Sequence, residues 1–559
     1  MLIKFRPAPL SAFLSAFSLV LLLLSPVFGQ QPGHGEGRTP QQPPASKGDK
    51  GDKEANPTDR LVTSNGEISV AGKVLHYKAT AGTLVLKDDA GKPKAEVFFV
   101  AYQKVDQAAR PATHPAESRP ADAKDADDRE SADAAESKER ASDRPLTFFF
   151  NGGPGAAAVW LHLGAAGPRR VKLTEDGHPL PPPGALEDNP DCWLDATDMV
   201  FIDPVGTGYS RPVTGEAQEQ FSGVQEDVHW VADFIRLYTT RNNRWLSPKF
   251  LAGESYGTTR AAALSEHLLE QQGIALNGIV FISTVLDFQT LSPSRDNGLP
   301  YALYLPTYTA TAAYHKKLAA DLAADLPKTL KEVERWAMGD YLVALAKGDS
   351  LDAGKRAAMV QKLAAYTGLK PETVDRADLR IDPDLFRQKL LEDSHQVIGR
   401  FDARLSGYDA DTLSRDPQYD PSFNAFYAAY ASAFNDYARR TLKYDSDTPY
   451  EVLTGRVGPW NFGQRGQGFL NVAVDLQRAM QKNEHLKVLF AAGQMDLATP
   501  YLAMNYTVDH LDLSPELRKN IEQAYFPAGH MVYHPRASAH KLHEDVKAFI
   551  GSATPKDER

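Results

Sequence analysis

The chain has 559 residues, 42% hydrophobic and 24% charged, an ordinary balance for a globular protein with a large core. Its formal net charge of −10 argues against nucleic acid or an anionic membrane as a partner. A single cysteine, Cys192, excludes any intrachain disulfide, which suits an exported protein of a bacterial envelope.

In chain order, residues 1–29 read as a cleavable secretory signal. Lys4 and Arg6 precede an apolar stretch over 13–24, and Gly29 offers a small residue before a cut. An uncleaved anchor is the alternative. The protein is therefore expected outside the cytoplasm, periplasmic or extracellular, with no stable membrane association after cleavage. Residues 30–60, rich in Gln, Pro, Gly and Lys, predict a disordered tether. From 61 to 104 short β-like runs appear, at 68–70 and 83–86. The segment 106–143 is dominated by Ala, Asp, Glu, Arg and Ser and predicts a disordered acidic loop.

Beyond that loop, short apolar runs at 146–150, 199–202, 250–252, 279–282 and 488–491 alternate with helical patterns at 224–238 and 258–271. Runs of this kind suit strands buried on both faces, and the alternation predicts an α/β fold, a mostly parallel central sheet flanked by helices. Over 289–453 the strand signal fades and helical spacing appears at 314–322, 330–346 and 385–405. A helical cap insertion is expected there, dividing the core into 61–288 and 454–551. The core closes with an amphipathic helix over 538–550, and 552–559 is expected to be a flexible tail.

The strongest local signal is Gly253-Glu254-Ser255-Tyr256-Gly257. It fits the G-x-S-x-G nucleophile elbow, where a strand turns sharply into a helix and lifts a serine hydroxyl from the sheet. A serine needs a base, and in this fold acid and histidine follow it along the chain. His530, in Phe526-Pro527-Ala528-Gly529-His530-Met531, is the candidate base. His534 is its competitor, and His540 and His543 on the last helix read as surface residues. Asp496 follows the 488–491 strand, in the loop position where such sheets carry catalytic groups. Asp509 and Asp512 lie in a helical-looking stretch. The glycine-rich Asn151-Gly152-Gly153-Pro154-Gly155 ends an early strand. The N–H groups of Gly153 and Tyr256 are the oxyanion-hole candidates. No metal-ligand cluster or dinucleotide fingerprint is read, so no metal or cofactor is expected. Oligomeric state is not legible. Cys192 reads as a buried or idle thiol.

Taken with Phe201-Ile202-Asp203-Pro204-Val205-Gly206-Thr207-Gly208-Tyr209-Ser210 and Gly529-His530-Met531-Val532, these motifs closely resemble the serine carboxypeptidase family, in family order. Asn189-Pro190 and Trp193 match a further stretch. The resemblance implies an α/β-hydrolase that removes C-terminal residues from peptide substrates, usually at acidic pH. It implies that Asn151 and Glu254 bind the substrate's terminal carboxylate, which needs a shared proton. Three departures stand out: Ala156-Ala157-Ala158 replaces a Cys-Ser-Ser, Phe149 replaces a tryptophan, and Ala165 stands where the family carries a second carboxylate-binding glutamate. An esterase or acyltransferase, or a broader peptidase, using the same Ser-Asp-His groups, and a non-enzymatic binding protein on this scaffold, are the competing readings.

Overall fold

The computed structural model describes residues 57–105, 144–411, 414, 416–463 and 468–555. The expected signal segment, most of the tether and the acidic loop 106–143 lie outside these residues.

Three antiparallel strands open the fold: β1 (Arg60–Val70), β2 (Lys73–Lys87) and β3 (Pro93–Val105). They are longer than the short apolar runs predict, because polar positions alternate with apolar ones along β1 and one face stays in water. Ala71 and Gly72, both at positive φ, form the two-residue turn between β1 and β2. The remaining main strands are β4 (Leu146–Phe150), β5 (Asp198–Ile202), β6 (Lys249–Glu254), β7 (Gly278–Ile282), β8 (Lys487–Gly493) and β9 (Ile521–Phe526). Their spatial order is β1-β2-β3-β5-β4-β6-β7-β8-β9, and every pair from β5 onward is parallel. A two-residue strand, Arg211–Pro212, also pairs with β3.

Successive residues of the central strands feed two separate cores. Phe149, Phe250 and Ala252 face one layer, whereas Phe148, Phe150 and Leu251 face the other. Helices cover both faces. Leu264 and Leu268 of α2 (Tyr256–Gln271) join the second core, with Phe234 and Ile235 of α1 (Val224–Arg241). Leu542, Val546 and Phe549 of the last helix join the first. The fold is thus an α/β-hydrolase sheet, and the carboxyl ends of β4, β6, β8 and β9 lead into the segments that carry Asn151, Ser255, Asp496 and His530.

Between β7 and β8 come α3 (Leu299–Tyr314), α4 (Leu326–Trp336), α5 (Ala353–Thr367), α6 (Pro421–Arg440) and α7 (Ala473–Lys482). The expected helix at 314–322 is not formed: Tyr314 ends α3, and only Ala320–Ala323 is helical nearby. The helix expected over 385–405 is also shorter, running Pro383–Lys389. His395 then takes a left-handed φ of 52°, and Gln396–Ile398 pairs antiparallel with Ser406–Tyr408. A third core, built on Tyr301, Leu305, Val333, Trp336 and Phe386, takes in Met495 and Leu497. The insertion therefore packs directly on the loop that carries Asp496.

Candidate active site

Ser255 joins β6 to α2 with φ 61° and ψ −129°, a conformation a non-glycine residue holds only under constraint from its surroundings. The constraint is close backbone approach. A Cβ on Gly257 would lie 2.6 Å from the Phe150 carbonyl oxygen, and one on Gly152 would lie 2.4 Å from the Tyr256 nitrogen and 2.9 Å from the Ser255 Cβ. Glycine at these positions lets the loop after β4 press against the elbow. Gly153 follows with φ 101°, also a glycine conformation. Gly152 is thereby brought against the Tyr256 nitrogen and the Ser255 Cβ, and Ser255 itself is only half-buried.

The second half of the site comes from the loops after β8 and β9. His530 Nδ1 lies 2.7 Å from Asp496 Oδ2, and both side chains are almost wholly buried. A carboxylate only accepts, so Nδ1 carries the hydrogen and Nε2 is left to accept a proton. Burial opposes a charged His530, but the charge and hydrogen bond of Asp496 outweigh it and hold the imidazole above its ordinary pKa. Asp496 is itself fixed: Oδ1 accepts from the Ala498 and Thr499 N–H groups, and Oδ2 accepts from Thr499 Oγ1 at 2.6 Å. The insertion clamps both loops through its backbone. Ala403 N–H donates to the Met495 carbonyl, Leu497 N–H to Arg400, and His530 N–H to Phe401. Ser283 Oγ, beyond the end of β7, donates to the His530 carbonyl at 2.6 Å. Asp509 and Asp512 are exposed, well removed in environment from this buried pair.

Comparison with known proteins gives one family match, serine carboxypeptidase, spanning residues 134–532. The chain belongs to the serine carboxypeptidase family. Among curated relatives it is 28% identical over 167 residues to serine carboxypeptidase-like 1 of Arabidopsis thaliana, covering 28% of this chain and 36% of that protein. It is 34% identical over 122 residues to pheromone-processing carboxypeptidase KEX1 of Saccharomyces cerevisiae, covering 20% of this chain and 15% of that one. These matches span about a third or less of the relatives' own length. The crystal structure of the prohormone-processing carboxypeptidase Kex1(Δ)p from Saccharomyces cerevisiae shares the fold. Its TM-score is 0.51 at 16% identity, with 85% of this chain and 91% of that chain covered.

In this serine carboxypeptidase family member, Asn151 Nδ2 donates to Glu254 Oε1 at 2.9 Å. Burial pushes the Glu254 carboxyl up to about 7, only partly offset by His530, Tyr533 and Asn151. Its other oxygen and the Tyr533 hydroxyl are buried side by side, close enough to interact but without hydrogen-bond geometry. Tyr533 packs over Gly164, next to buried Ala165 in the 162–166 turn. Neither tyrosine nor its place was legible beforehand, since nothing in a single motif brings 164 and 533 together.

The remaining polar groups that the sequence singles out have other surroundings. His534 is buried and hydrogen-bonded to Tyr430 at 3.0 Å; burial, with Arg404 and Arg170 nearby, lowers its pKa far below the usual value. His534→Ala is expected to keep most activity but to lower the unfolding temperature, because Tyr430 loses its partner at about 1–3 kcal/mol. Thermal unfolding beside an esterase assay checks both halves. His540 is exposed, as the sequence suggests, but His543 is buried, facing Asp195 rather than solvent. Cys192 is fully buried, and burial pushes its thiol up. Arg260, on α2, donates to Asp227 Oδ2 at 2.7 Å and to the Asn151 carbonyl at 2.6 Å.

Proposed function

We propose that this protein is an exported serine carboxypeptidase that releases C-terminal residues from peptides through an acyl-enzyme. The carrying observation is the buried 2.7 Å Asp496–His530 pair, in a fold whose nucleophile elbow carries a strained, half-exposed serine. In this reading His530 Nε2 takes the Ser255 proton as Oγ attacks the scissile carbonyl, and returns it to the leaving amine. Asp496 holds the tautomer and stabilises the imidazolium. Backbone N–H groups of Gly153 and Tyr256 receive the oxyanion. Water then repeats the sequence on the acyl-serine. Export rests on the 1–29 signal. No helix among the described residues is long and apolar enough to cross a membrane.

Asn151 and Glu254 take the substrate carboxylate. Below about pH 7 Glu254 carries a proton and can donate it; above that, two carboxylates repel. Turnover of free-acid peptides is therefore expected to fall as pH rises through about 7, whereas amidated peptides keep their rate. On the acid side both fall together as His530 protonates. Digestion of matched acid and amide peptides across pH, read by mass spectrometry, tests this; superimposable profiles would remove carboxylate recognition. An esterase or acyltransferase is the second reading, favoured by Ala165, which brings no carboxyl, and by Tyr533 beside the second Glu254 oxygen.

A further inference from the structure

One cluster of ligating side chains lies outside the site and has no part in the chemistry above. A donor atom from each of Asp191, His540 and His543 falls within 4.8 Å of the other two. Asp191 sits in the turn before β5, while the two histidines are three apart on one face of α8 (Arg536–Ala553), the last helix. Asp191 Oδ1 lies 2.8 Å from His540 Nδ1. His543 is buried, and its Nε2 faces Asp195 Oδ1 at 3.0 Å. A carboxylate behind an imidazole is the arrangement that orients a histidine ligand. The opposite nitrogen, Nδ1, is buried without a hydrogen bond and lies 3.3 Å from Glu544 Oε1.

We propose that Asp191, His540 and His543, with Glu544 at the rim, form a structural site for a divalent transition ion such as Zn2+. Two imidazoles and one or two carboxylates are a donor set such ions take. The neighbouring cations leave the inner donors free. Lys547 pairs with Asp195 at 2.7 Å, behind His543, and Arg170 stands 3.9 Å from the other Asp191 oxygen, with Glu187 at 3.3 Å on its far side. His540 is exposed, so an ion has an entry path. An ion held here would tie α8 to a turn 349 residues earlier, in a chain whose single cysteine cannot form an intrachain clip. In the same turn Asn189 donates to the Ala165 and Gly167 carbonyls, beneath the site.

Zinc chloride is titrated into chelator-treated full-length protein by calorimetry, with thermal unfolding measured in parallel. One equivalent is expected to bind and raise the unfolding temperature, since a ligand bound only by the folded state stabilises it. His540→Ala and Asp191→Asn are each expected to weaken binding at least about tenfold. His540 is exposed, so its variant tests the site without disturbing the core. Absence of binding, or binding unchanged in both variants, overturns the proposal.

Discussion

Ser255→Ala and His530→Ala are each expected to lower kcat by about a millionfold, because members of a catalytic triad act as one unit. Removing the serine removes the atom that bonds to the acyl group. Removing the histidine leaves a hydroxyl with no base, and no other described imidazole takes its place: His534 is bonded to Tyr430 and held neutral by burial. Asp496→Asn is expected to cost about ten-thousandfold. The Ala498 and Thr499 N–H groups that donate to Oδ1 would hold the amide oxygen on that side, leaving its NH2 to face the Nδ1–H of His530. The favoured amide orientation therefore competes with the tautomer that His530 needs. A fluorophosphonate probe should label the wild type and not Ser255→Ala. Undiminished labelling of that variant would move the nucleophile elsewhere.

Much of the framework was legible because it is local. The G-x-S-x-G signal needs only five residues and the strand and helix beside them, and β6 and α2 take those places. Asp496 was readable as a strand-end carboxylate, and Asp496-Leu497-Ala498-Thr499 is in hindsight a turn whose aspartate accepts its own chain's N–H groups. What could not be read depends on contacts between distant segments. Phe401 holding the His530 backbone, and Met495 and Leu497 sealed into the core of the insertion, join residues far apart in the chain. Helix spacing over 385–405 misled because its apolar residues serve a short β-ladder, where Val397 and Ile398 are buried by packing rather than by helical period. His543 read as a surface residue because its partner, Asp195, lies hundreds of positions away.

Asp227→Ala is expected to be the most destabilising single change near the site, costing about 3–5 kcal/mol in denaturant unfolding. Arg260 and Asp227 are both almost wholly buried, so removing the acid leaves a guanidinium without its counter-charge in the core. The pair does more than balance itself. Arg260 also donates to the Asn151 carbonyl and stacks against the Tyr256 and Phe150 rings. It thus holds the loop after β4 against the elbow, and the proposed oxyanion donors, Gly153 and Tyr256, lie on those two pieces. The joint replacement Asp227→Leu with Arg260→Met separates these roles. An apolar pair of similar volume should recover most of the lost stability, because buried ion pairs often gain little over packed hydrocarbon. Turnover should stay low, by about a hundredfold, since the Asn151 carbonyl has lost its donor and a displacement of about 1 Å carries that cost. The loss should fall on kcat for ester and peptide alike. Full activity in a stable double variant would reduce the pair to a packing role and leave the oxyanion loop held by glycine contacts alone.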